Sequence, residues 1–238
     1  MSPAPVVSSA LTFERPLVTV DVVIFSLVDE QLCVLLVRRP EGEHEPFPGR
    51  WALPGGFVDV HRDASLLACA ERKLREKTGV VAPYLEQLGS WGDARRDPRG
   101  WSATHAYFAL IAQPAISADS GTVTEWVACD QALRRRLAFD HHTLLGAAID
   151  RLRGKVEYTS LPAFLLPEPF TLPQLQRIYE VVLGRPLDKS AFRKRMLDAD
   201  FLVEAGTLAR EQGRPAVGYR LRDREQATLF PRTFKPAE

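Results

Sequence analysis

GGFVDVHRDASLLACAERKLREKTGV, the stretch that spans residues 55–80, decides the fold of the first half of the chain. It begins with two glycines, continues as a charged loop and ends in a segment with helical periodicity. A helix over residues 64–77 is predicted by apolar residues that recur at three- and four-residue spacing, namely Leu66, Leu67, Ala70 and Leu74. We expect Asp63 to cap its N-terminus and Gly79 to end it.

Working outward from this helix, the sequence alternates between strand and helix patterns. Residues 17–28 and 32–37 are rich in β-branched side chains and predict two paired strands. Further strands are predicted at 104–112 and 122–128, and a second helix at 138–152. This order indicates a mixed α and β domain with an internal sheet.

The last third of the chain has a different pattern. Helices are predicted at 171–183 and 188–199, with Asp188 as the N-cap of the second, and a β-hairpin at 201–222. Two helices followed by a hairpin are typical of a winged helix-turn-helix. The proline-rich segment 155–170 resembles a packed connector, so we predict two domains, 1–154 and 155–238.

Bulk composition excludes some functional classes. The 238 residues carry a net charge of only +1, so any nucleic-acid surface must be a local cluster of basic residues. The cysteines are odd in number and lack metal-site spacing, which argues against disulfides or structural zinc and predicts small core residues at Cys33, Cys69 and Cys129. We found no signal peptide or membrane-length apolar run and expect a cytoplasmic protein.

The stretch quoted first resembles the Nudix box, a pattern of glycine, glutamate and an Arg-Glu-rich helix. The matching positions are Gly56, Arg72, Leu74, Glu76, Gly79 and Val80. The resemblance covers roughly the first 150 residues. It implies a Nudix-type α/β/α sandwich with a mixed sheet, which makes the fold class α/β (α+β).

The same box departs from the family pattern at its metal-binding positions. Lys73 and Lys77 stand where two metal-binding glutamates are expected. Of the glutamates that the pattern expects on the helix, only Glu76 is present. Charged lysine cannot ligate Mg²⁺ and repels it. Any residual metal site would use Glu76 and Asp63. We therefore assign no catalytic residue and no required cofactor, with Mg²⁺ or Mn²⁺ needed only if the chain is a hydrolase.

A substitute metal cradle is conceivable from the carboxylates of the box, which are Asp59, Asp63, Glu71 and Glu76. Glu76 follows Glu71 by five positions along the chain, which places the two side chains about 140° apart around a helix. These two side chains are therefore not expected to converge.

Such a domain is still suited to binding a nucleoside diphosphate. Arginines bind phosphate in a bidentate manner, and tryptophans stack on a base. The ligand-binding candidates are Arg38, Arg39, Trp51, Gly56, Arg72, Glu76, Trp91, Arg99 and His105. The alternative for many of them is an ordinary structural role. They would then form surface ion pairs, pack in the core as aromatic residues or hold the loop before residue 105 through contacts within it. The Arg134–Arg136 triplet and the pair His141 and His142 are interpreted as structural.

The second helix of the C-terminal domain predicts a basic exposed face. Phe192, Met196 and Leu197 are expected to pack inward. The residues expected to project outward and bind DNA are Lys189, Ser190, Arg193 and Lys194, joined by Arg210 and Arg214 at the hairpin tip. The alternative is a solvated helix face without a partner.

Together with the altered Nudix box, the segments LPAFLLPEPFTL, LGRPLDKSAFRKRML and GRPAVGYRL resemble the Nudix-related transcriptional regulator family known as NrtR. The resemblance implies a homodimeric repressor of NAD-metabolism genes that binds a palindromic operator in double-stranded DNA. It also implies ADP-ribose or a related nucleotide as effector. Two alternatives stay open, an active Nudix pyrophosphatase with an accessory domain and a scaffold whose winged helix binds protein.

Overall fold

A seven-stranded mixed sheet organises the first half of the chain in the computed structural model, which describes residues 14–82, 84–113, 121–209 and 215–231. The strands are β1 (Leu17–Val28), β2 (Gln31–Arg38), β3 (Trp51–Ala52), β4 (Gly55–Phe57), β5 (Tyr84–Asp93), β6 (Ser102–Leu110) and β7 (Thr124–Ala128). β1 lies parallel to β6, and the other pairings are antiparallel.

The strands β1 and β2 separate along their length. Near the hairpin they pair directly, with Phe25 opposite Val34. Farther on, the same edge of β1 pairs with β4 instead, with Thr19 opposite Phe57, while β2 pairs with β3. The segment 51–57 therefore lies between the two strands, and its glycines leave an opening there.

Helices cover both faces of this sheet. α1 (Leu66–Thr78) packs on the face that carries Val20, Val22 and Ile24 of β1. α3 (His141–Val156) packs on the opposite face with Val23 and Phe25, because successive side chains of a strand point to opposite sides. A short α2 (Cys129–Ala132) lies between β7 and α3. The predicted α/β/α sandwich is confirmed.

The ends of α1 show one prediction that holds and one that is wrong. Gly79 ends the helix in the left-handed conformation, with φ 71°, as expected. The N-cap is Ser65 rather than Asp63, since the Ser65 hydroxyl accepts the Ala68 N–H at 3.1 Å. The Asp63 carboxylate is instead bound by Arg72.

Two further differences from the sequence prediction have local causes. β5 was not predicted, because its pattern is broken by Gly89 and Gly92, and it forms by pairing with β6 across a bulge after Gln87. α3 begins at His141 rather than at residue 138, since Phe139 has φ 53°, which a helix cannot accommodate.

The C-terminal part begins with a 3-10 helix at Leu161–Leu165 and is a winged helix, as predicted. α4 (Leu172–Leu183) starts with a capping box between Thr171 and Gln174. α5 (Lys189–Asp198) is capped by Asp188, whose carboxylate accepts the Ala191 N–H at 2.7 Å. β8 (Leu202–Leu208) and β9 (Ala216–Leu221) form the two-stranded wing.

One hydrophobic core runs from the sheet into the winged helix. The Tyr179 hydroxyl donates to the Thr159 carbonyl at 2.8 Å, and Arg177 of α4 pairs with Glu30 of the β1–β2 turn at 3.2 Å. α3 runs to Val156, so the predicted domain boundary after residue 154 falls within this helix, and the division stays a prediction. The three cysteines are free and buried, as expected. No described helix is long and apolar enough to cross a membrane.

Candidate functional site

A cleft of about 280 Å³ opens where β1 and β2 separate. Its walls come from both strands, from the segment 51–57, from the loop between β5 and β6 and from the start of α3. The lining residues that matter for its chemistry are Asp21, Arg38, Arg39, Gly56, Phe57, Lys77, Arg96, Asp97, Arg99, Phe139 and His141. The cleft is therefore rich in cations and has aromatic groups on its walls.

A buried carboxylate, Asp21 of β1, lies at the floor of the cleft. The Thr104 hydroxyl donates to it at 2.7 Å, and the guanidinium of Arg96 lies 3.6 Å away. A Cβ on Gly55 would lie 1.9 Å from Asp21 Oδ1, so only glycine fits beside this carboxylate. Burial by itself would raise the pKa of Asp21, but the neighbouring His141, Thr104 and Arg96 outweigh burial and hold that pKa below its usual value.

The buried imidazole of His141 has a defined orientation. Its Nδ1 accepts the Leu53 N–H at 2.9 Å, so the ring proton is on Nε2, which lies 3.6 Å from Asp21 Oδ1. His141 thus makes the structural contacts that we predicted and also lines the cleft. Asp21 was missed, although a lone aspartate within the apolar strand LVTVDVVIF was a visible signal.

Four of the nine predicted ligand-binding residues line the cleft: Arg38, Arg39, Gly56 and Arg99. Each arginine already has a carboxylate partner. Arg38 pairs with Glu41 at 3.2 Å, Arg39 with Glu45 at 2.8 Å and Arg99 with Asp97 at 2.7 Å. A fourth arginine, Arg96, is buried and pairs with Asp140 at 2.8 Å. A ligand that binds these arginines must share them with the protein's own carboxylates.

The other five candidates, Trp51, Arg72, Glu76, Trp91 and His105, do not line the cleft, and their role in ligand binding stays a prediction. Trp51 packs against the core beneath Arg135, and Trp91 belongs to β5 rather than to a loop. His105 shares a 2.9 Å hydrogen bond with Ser90 across β5 and β6. His105 lies opposite Val20 of β1, so alternation along the strands directs its side chain to the face of the sheet opposite Asp21.

The aromatic side chains that line the cleft are phenylalanines rather than the tryptophans predicted to stack on a base. Phe57 and Phe139 line the cleft, and an arginine lies over each ring. Arg99 is 4.8 Å from the centroid of Phe57, and Arg39 is 4.9 Å from that of Phe139. Both pairs offer a planar apolar surface next to positive charge, which suits a base and its phosphates.

The Nudix-box carboxylates do not form a metal site in this arrangement. Arg72 binds both oxygens of Asp63, at 2.7 and 2.6 Å, and also contacts Glu76 at 3.1 Å. These hydrogen bonds from Arg72 hold the pKa of Asp63 well below its usual value. Glu71 lines a separate small cavity with Val81, so it does not converge with Glu76, as predicted.

A divalent ion needs several oxygen ligands that are not already bound by cations. Within the described ranges, no group of three or more Asp, Glu, His or Cys side chains is arranged to hold a metal. On α1, Lys77 follows Glu76 and lines the cleft, and the Lys73 ammonium group lies against Gly56 of the cleft wall. The residues present therefore do not fit the metal cluster that a Nudix domain implies.

The basic face of α5 is exposed as predicted. Its outward residues are Lys189, Ser190, Arg193 and Lys194, and among the described residues none of the three cations lies in an ion pair. Phe192 and Met196 are buried. The prediction for Leu197 is wrong, since its side chain is 42% exposed, because two residues suffice to fill the contact between α5 and α4.

The wing follows α5 directly. Arg210 and Arg214, the predicted tip residues, lie outside the described residues. On the described part of the wing Arg220 is exposed, while Arg222 pairs with Asp200 at 2.7 Å. In the described part of this domain, the exposed cations that lie in no ion pair are therefore those of α5 and Arg220 of β9.

Comparison with known proteins extends over both parts of the chain. The NUDIX domain family matches residues 16–146, and the NrtR DNA-binding winged helix domain family matches residues 162–221. The chain is 48% identical over 225 residues to the ADPR responsive transcriptional repressor NtrR of Acinetobacter baylyi, covering 94% of this chain and 89% of that protein.

Solved structures give the same result. The crystal structure of Shewanella oneidensis NrtR complexed with a 27mer DNA superposes with a TM-score of 0.84 at 44% identity, covering 92% of this chain and 99% of that chain. The NUDIX domain of the same protein complexed with ADP ribose gives a TM-score of 0.55 at 42% identity, covering 64% of this chain and 99% of that chain.

Proposed function

This chain belongs to the NrtR family of Nudix-related transcriptional repressors, and from that membership we propose that it is a repressor whose DNA affinity is set by an ADP-ribose-like effector. The observation that carries this proposal is that one continuous core joins a cation-rich cleft to a winged helix with an unpaired basic face. The effector binds in the cleft, and α5 binds the operator.

The cleft suits a nucleoside diphosphate linked to a second sugar. A phenylalanine with an adjacent arginine accepts a base, and the remaining cations face the phosphates. Buried Asp21 at the floor accepts hydrogen bonds, so it selects ligand groups that donate them, such as ribose hydroxyls. The effector class is therefore ADP-ribose or a close relative of it.

DNA recognition rests on α5. Lys189, Arg193 and Lys194 project from one exposed face, where each cation that meets a phosphate releases counterions and adds affinity. Ser190 on the same face contributes a hydroxyl able to bond to phosphate or base edges. A homodimer would place two such helices on a palindromic operator with half-sites about one helical turn apart.

The control of NAD-metabolism genes is the regulatory role that the family membership suggests. Regulation requires that the effector bind more tightly to one arrangement of the two winged helices than to the other. A cytoplasmic location, where the protein meets both DNA and its effector, is part of this proposal.

The second candidate function is a Nudix pyrophosphatase, because the Nudix domain itself is intact as a fold. Two features argue against it. Lys73 and Lys77 replace the expected glutamates, and Arg72 already binds both Asp63 and Glu76. We therefore propose that the chain binds its effector without hydrolysing it and needs no metal cofactor.

A paired assay on the full chain tests the proposal. Calorimetry measures ADP-ribose binding, and chromatography with Mg²⁺ or Mn²⁺ present measures AMP release. Labelled duplexes from the protein's own genomic neighbourhood then report DNA affinity with and without ADP-ribose. We expect binding without turnover and an ADP-ribose-dependent change in DNA affinity. AMP release at enzyme-like rates, or DNA affinity that ADP-ribose leaves unchanged, would overturn the proposal.

A further inference from the structure

The cations of the cleft fall into two groups that differ in their partners. Each of the four arginines has a carboxylate within ion-pair distance, and the pairs are Arg38–Glu41, Arg39–Glu45, Arg96–Asp140 and Arg99–Asp97. The two lysines of α1 differ. In the part of the chain that the structure describes, neither Lys73 nor Lys77 lies in an ion pair, and both are half-buried.

Both lysines lie at the edge of the cleft, Lys77 in its lining and Lys73 against Gly56 of its wall. They are four residues apart on α1, so their side chains lie on one face of the helix. Lys77 lines the cleft and donates to the Thr122 hydroxyl at 2.9 Å. A Cβ on Gly56, which also lines the cleft, would lie 2.9 Å from Lys73 Nζ. The Lys73 ammonium group therefore occupies the space that the missing side chain of Gly56 leaves open.

Half-buried ammonium groups without a carboxylate are unfavourable unless an anion joins them. Burial lowers the pKa of Lys77, and the nearby charge of Lys73 acts in the same direction against the opposing effect of Glu76. An anionic ligand that contacted both groups would offset this cost. Among the described residues these two ammonium groups have no carboxylate at ion-pair distance, so a bound anion would neutralise their charge.

We propose that Lys73 and Lys77 take the place of the divalent metal, so that their two ammonium groups bind the diphosphate of the effector and make its binding independent of metal ions. This inference rests on the proposed function and assigns the chemistry of the same site. Two ammonium groups carry the charge of one divalent ion, which matches the two negative charges of a diphosphate diester.

The substitution also accounts for binding without hydrolysis. An ammonium group donates hydrogen bonds and neutralises charge, but it has no open coordination position at which to activate a water molecule. Glutamates at positions 73 and 77 would instead repel the diphosphate unless metal ions lay between them. One change of residue type therefore removes the need for metal and the hydrolytic step together.

The test measures ADP-ribose affinity of the full chain by calorimetry, once in EDTA and once in excess Mg²⁺. We expect the wild-type affinities to agree within about twofold. The Lys77→Gln variant should bind ADP-ribose about tenfold more weakly in both conditions, as expected for the loss of one charge-assisted contact. The Lys77→Glu variant should lose more affinity than Lys77→Gln in EDTA. Its affinity should rise at least about fivefold when Mg²⁺ is added, since a carboxylate restores a metal ligand. Lys77→Arg should keep metal-free binding.

The matched control is Arg75→Gln, which removes one exposed charge from the same helix, on the side that lines the separate small cavity. It should leave both affinities unchanged. Melting temperatures of all variants establish that they are folded. Wild-type binding that requires Mg²⁺, or equal losses for Arg75→Gln and Lys77→Gln, would overturn the inference.

Inorganic pyrophosphate in EDTA serves as a second probe that does not depend on the identity of the effector. It should raise the melting temperature of the wild type but not of a Lys73→Gln, Lys77→Gln double variant. If pyrophosphate binds this way and ADP-ribose does not bind at all, the proposed effector is wrong and the lysine site stands. If neither binds in EDTA, the lysine site is wrong.

Discussion

Helices α1 and α5 have similar charge but present it to different surroundings. Each carries four basic residues, which are Arg72, Lys73, Arg75 and Lys77 on α1 and Lys189, Arg193, Lys194 and Arg195 on α5. On α1, Arg72 is bound by carboxylates, Lys73 and Lys77 lie at the cleft, and Arg75 is exposed on another side of the helix. On α5 three of them project into solvent, and Arg195 packs over Phe230 at 4.9 Å.

The difference shows how the surroundings of a basic helix select its ligand. A cleft of about 280 Å³ admits a small molecule and fixes the number of charges that contact it. A projecting helix has no such limit and meets a polymer whose charges repeat along its length. Composition alone does not separate these two helices, whereas the shape of the adjoining surface does.

The largest expected effect comes from reversing charge on α5. The double change Arg193→Glu, Lys194→Glu should weaken DNA binding by about 100-fold or more, because two phosphate contacts become repulsive. The slope of log affinity against log salt concentration should become smaller in magnitude by about two. Fluorescence anisotropy with a labelled duplex at several salt concentrations measures both quantities. ADP-ribose affinity should stay unchanged.

The matched control for α5 is Arg134→Glu, Arg136→Glu, an equal reversal at two exposed residues of the first domain. It should lower DNA affinity far less. Equal losses in the two double variants would mean that α5 is not the DNA-binding helix and that only the net charge of the protein matters.

The same truncation on the two helices should affect stability differently. Arg72→Ala should lower the free energy of unfolding by about 2 kcal/mol, because it leaves the buried Asp63 carboxylate without its charge-assisted hydrogen bonds. Arg193→Ala should change it by less than about 0.5 kcal/mol, as for an exposed side chain. Urea unfolding measures both changes. A similar loss of unfolding free energy in the two variants would contradict the expected difference between α1 and α5.

Aromatic residues around the cleft provide a test of its boundaries. Phe57→Ala should weaken ADP-ribose binding by about tenfold, since stacking on an aromatic ring contributes about 1–3 kcal/mol. Trp51→Phe should have less than a twofold effect, since Trp51 does not line the cleft. Calorimetry on the two variants distinguishes these outcomes, and a larger loss at Trp51 would place the ligand elsewhere.

The smallest expected effect is on acid stability. The pKa of Asp63 is lowered in the folded protein, so its contribution is complete above the unfolded pKa and declines as pH falls toward the folded pKa. The difference in unfolding free energy between wild type and Asp63→Asn should shrink by about 1 kcal/mol between about pH 6 and pH 3. A difference that stays constant over this range would show that Arg72 does not hold the carboxylate.

Much of the fold followed from local patterns in the sequence. The periodicity of residues 66–74, the glycine after Thr78 and the capping residue Asp188 act within a few neighbouring residues. For this reason α1, α4 and α5 were predicted nearly at their observed bounds. β5 was missed because its strand character comes from pairing with β6 rather than from its own composition.

The candidate site was only partly predictable. The lysines at 73 and 77 and the basic face of α5 are visible in the sequence, since each depends on spacing along one helix. The sequence alone therefore determined an altered metal box and a basic helix, whereas its division into two domains stays a prediction. Three of the four cleft arginines, Arg38, Arg39 and Arg99, were also recognised, but Arg96 and the carboxylate partners were not.

Only the tertiary structure decided which charges are paired and which aromatic groups line the cleft. Arg96 meets Asp140 across 44 residues of chain, and Asp21 meets His141 across a still longer separation. Such contacts depend on how strands, loops and helices pack, and no periodic pattern encodes them. Local rules determine each element and its exposed face, whereas the partners of a buried charge are set by the packing of elements that are distant in sequence.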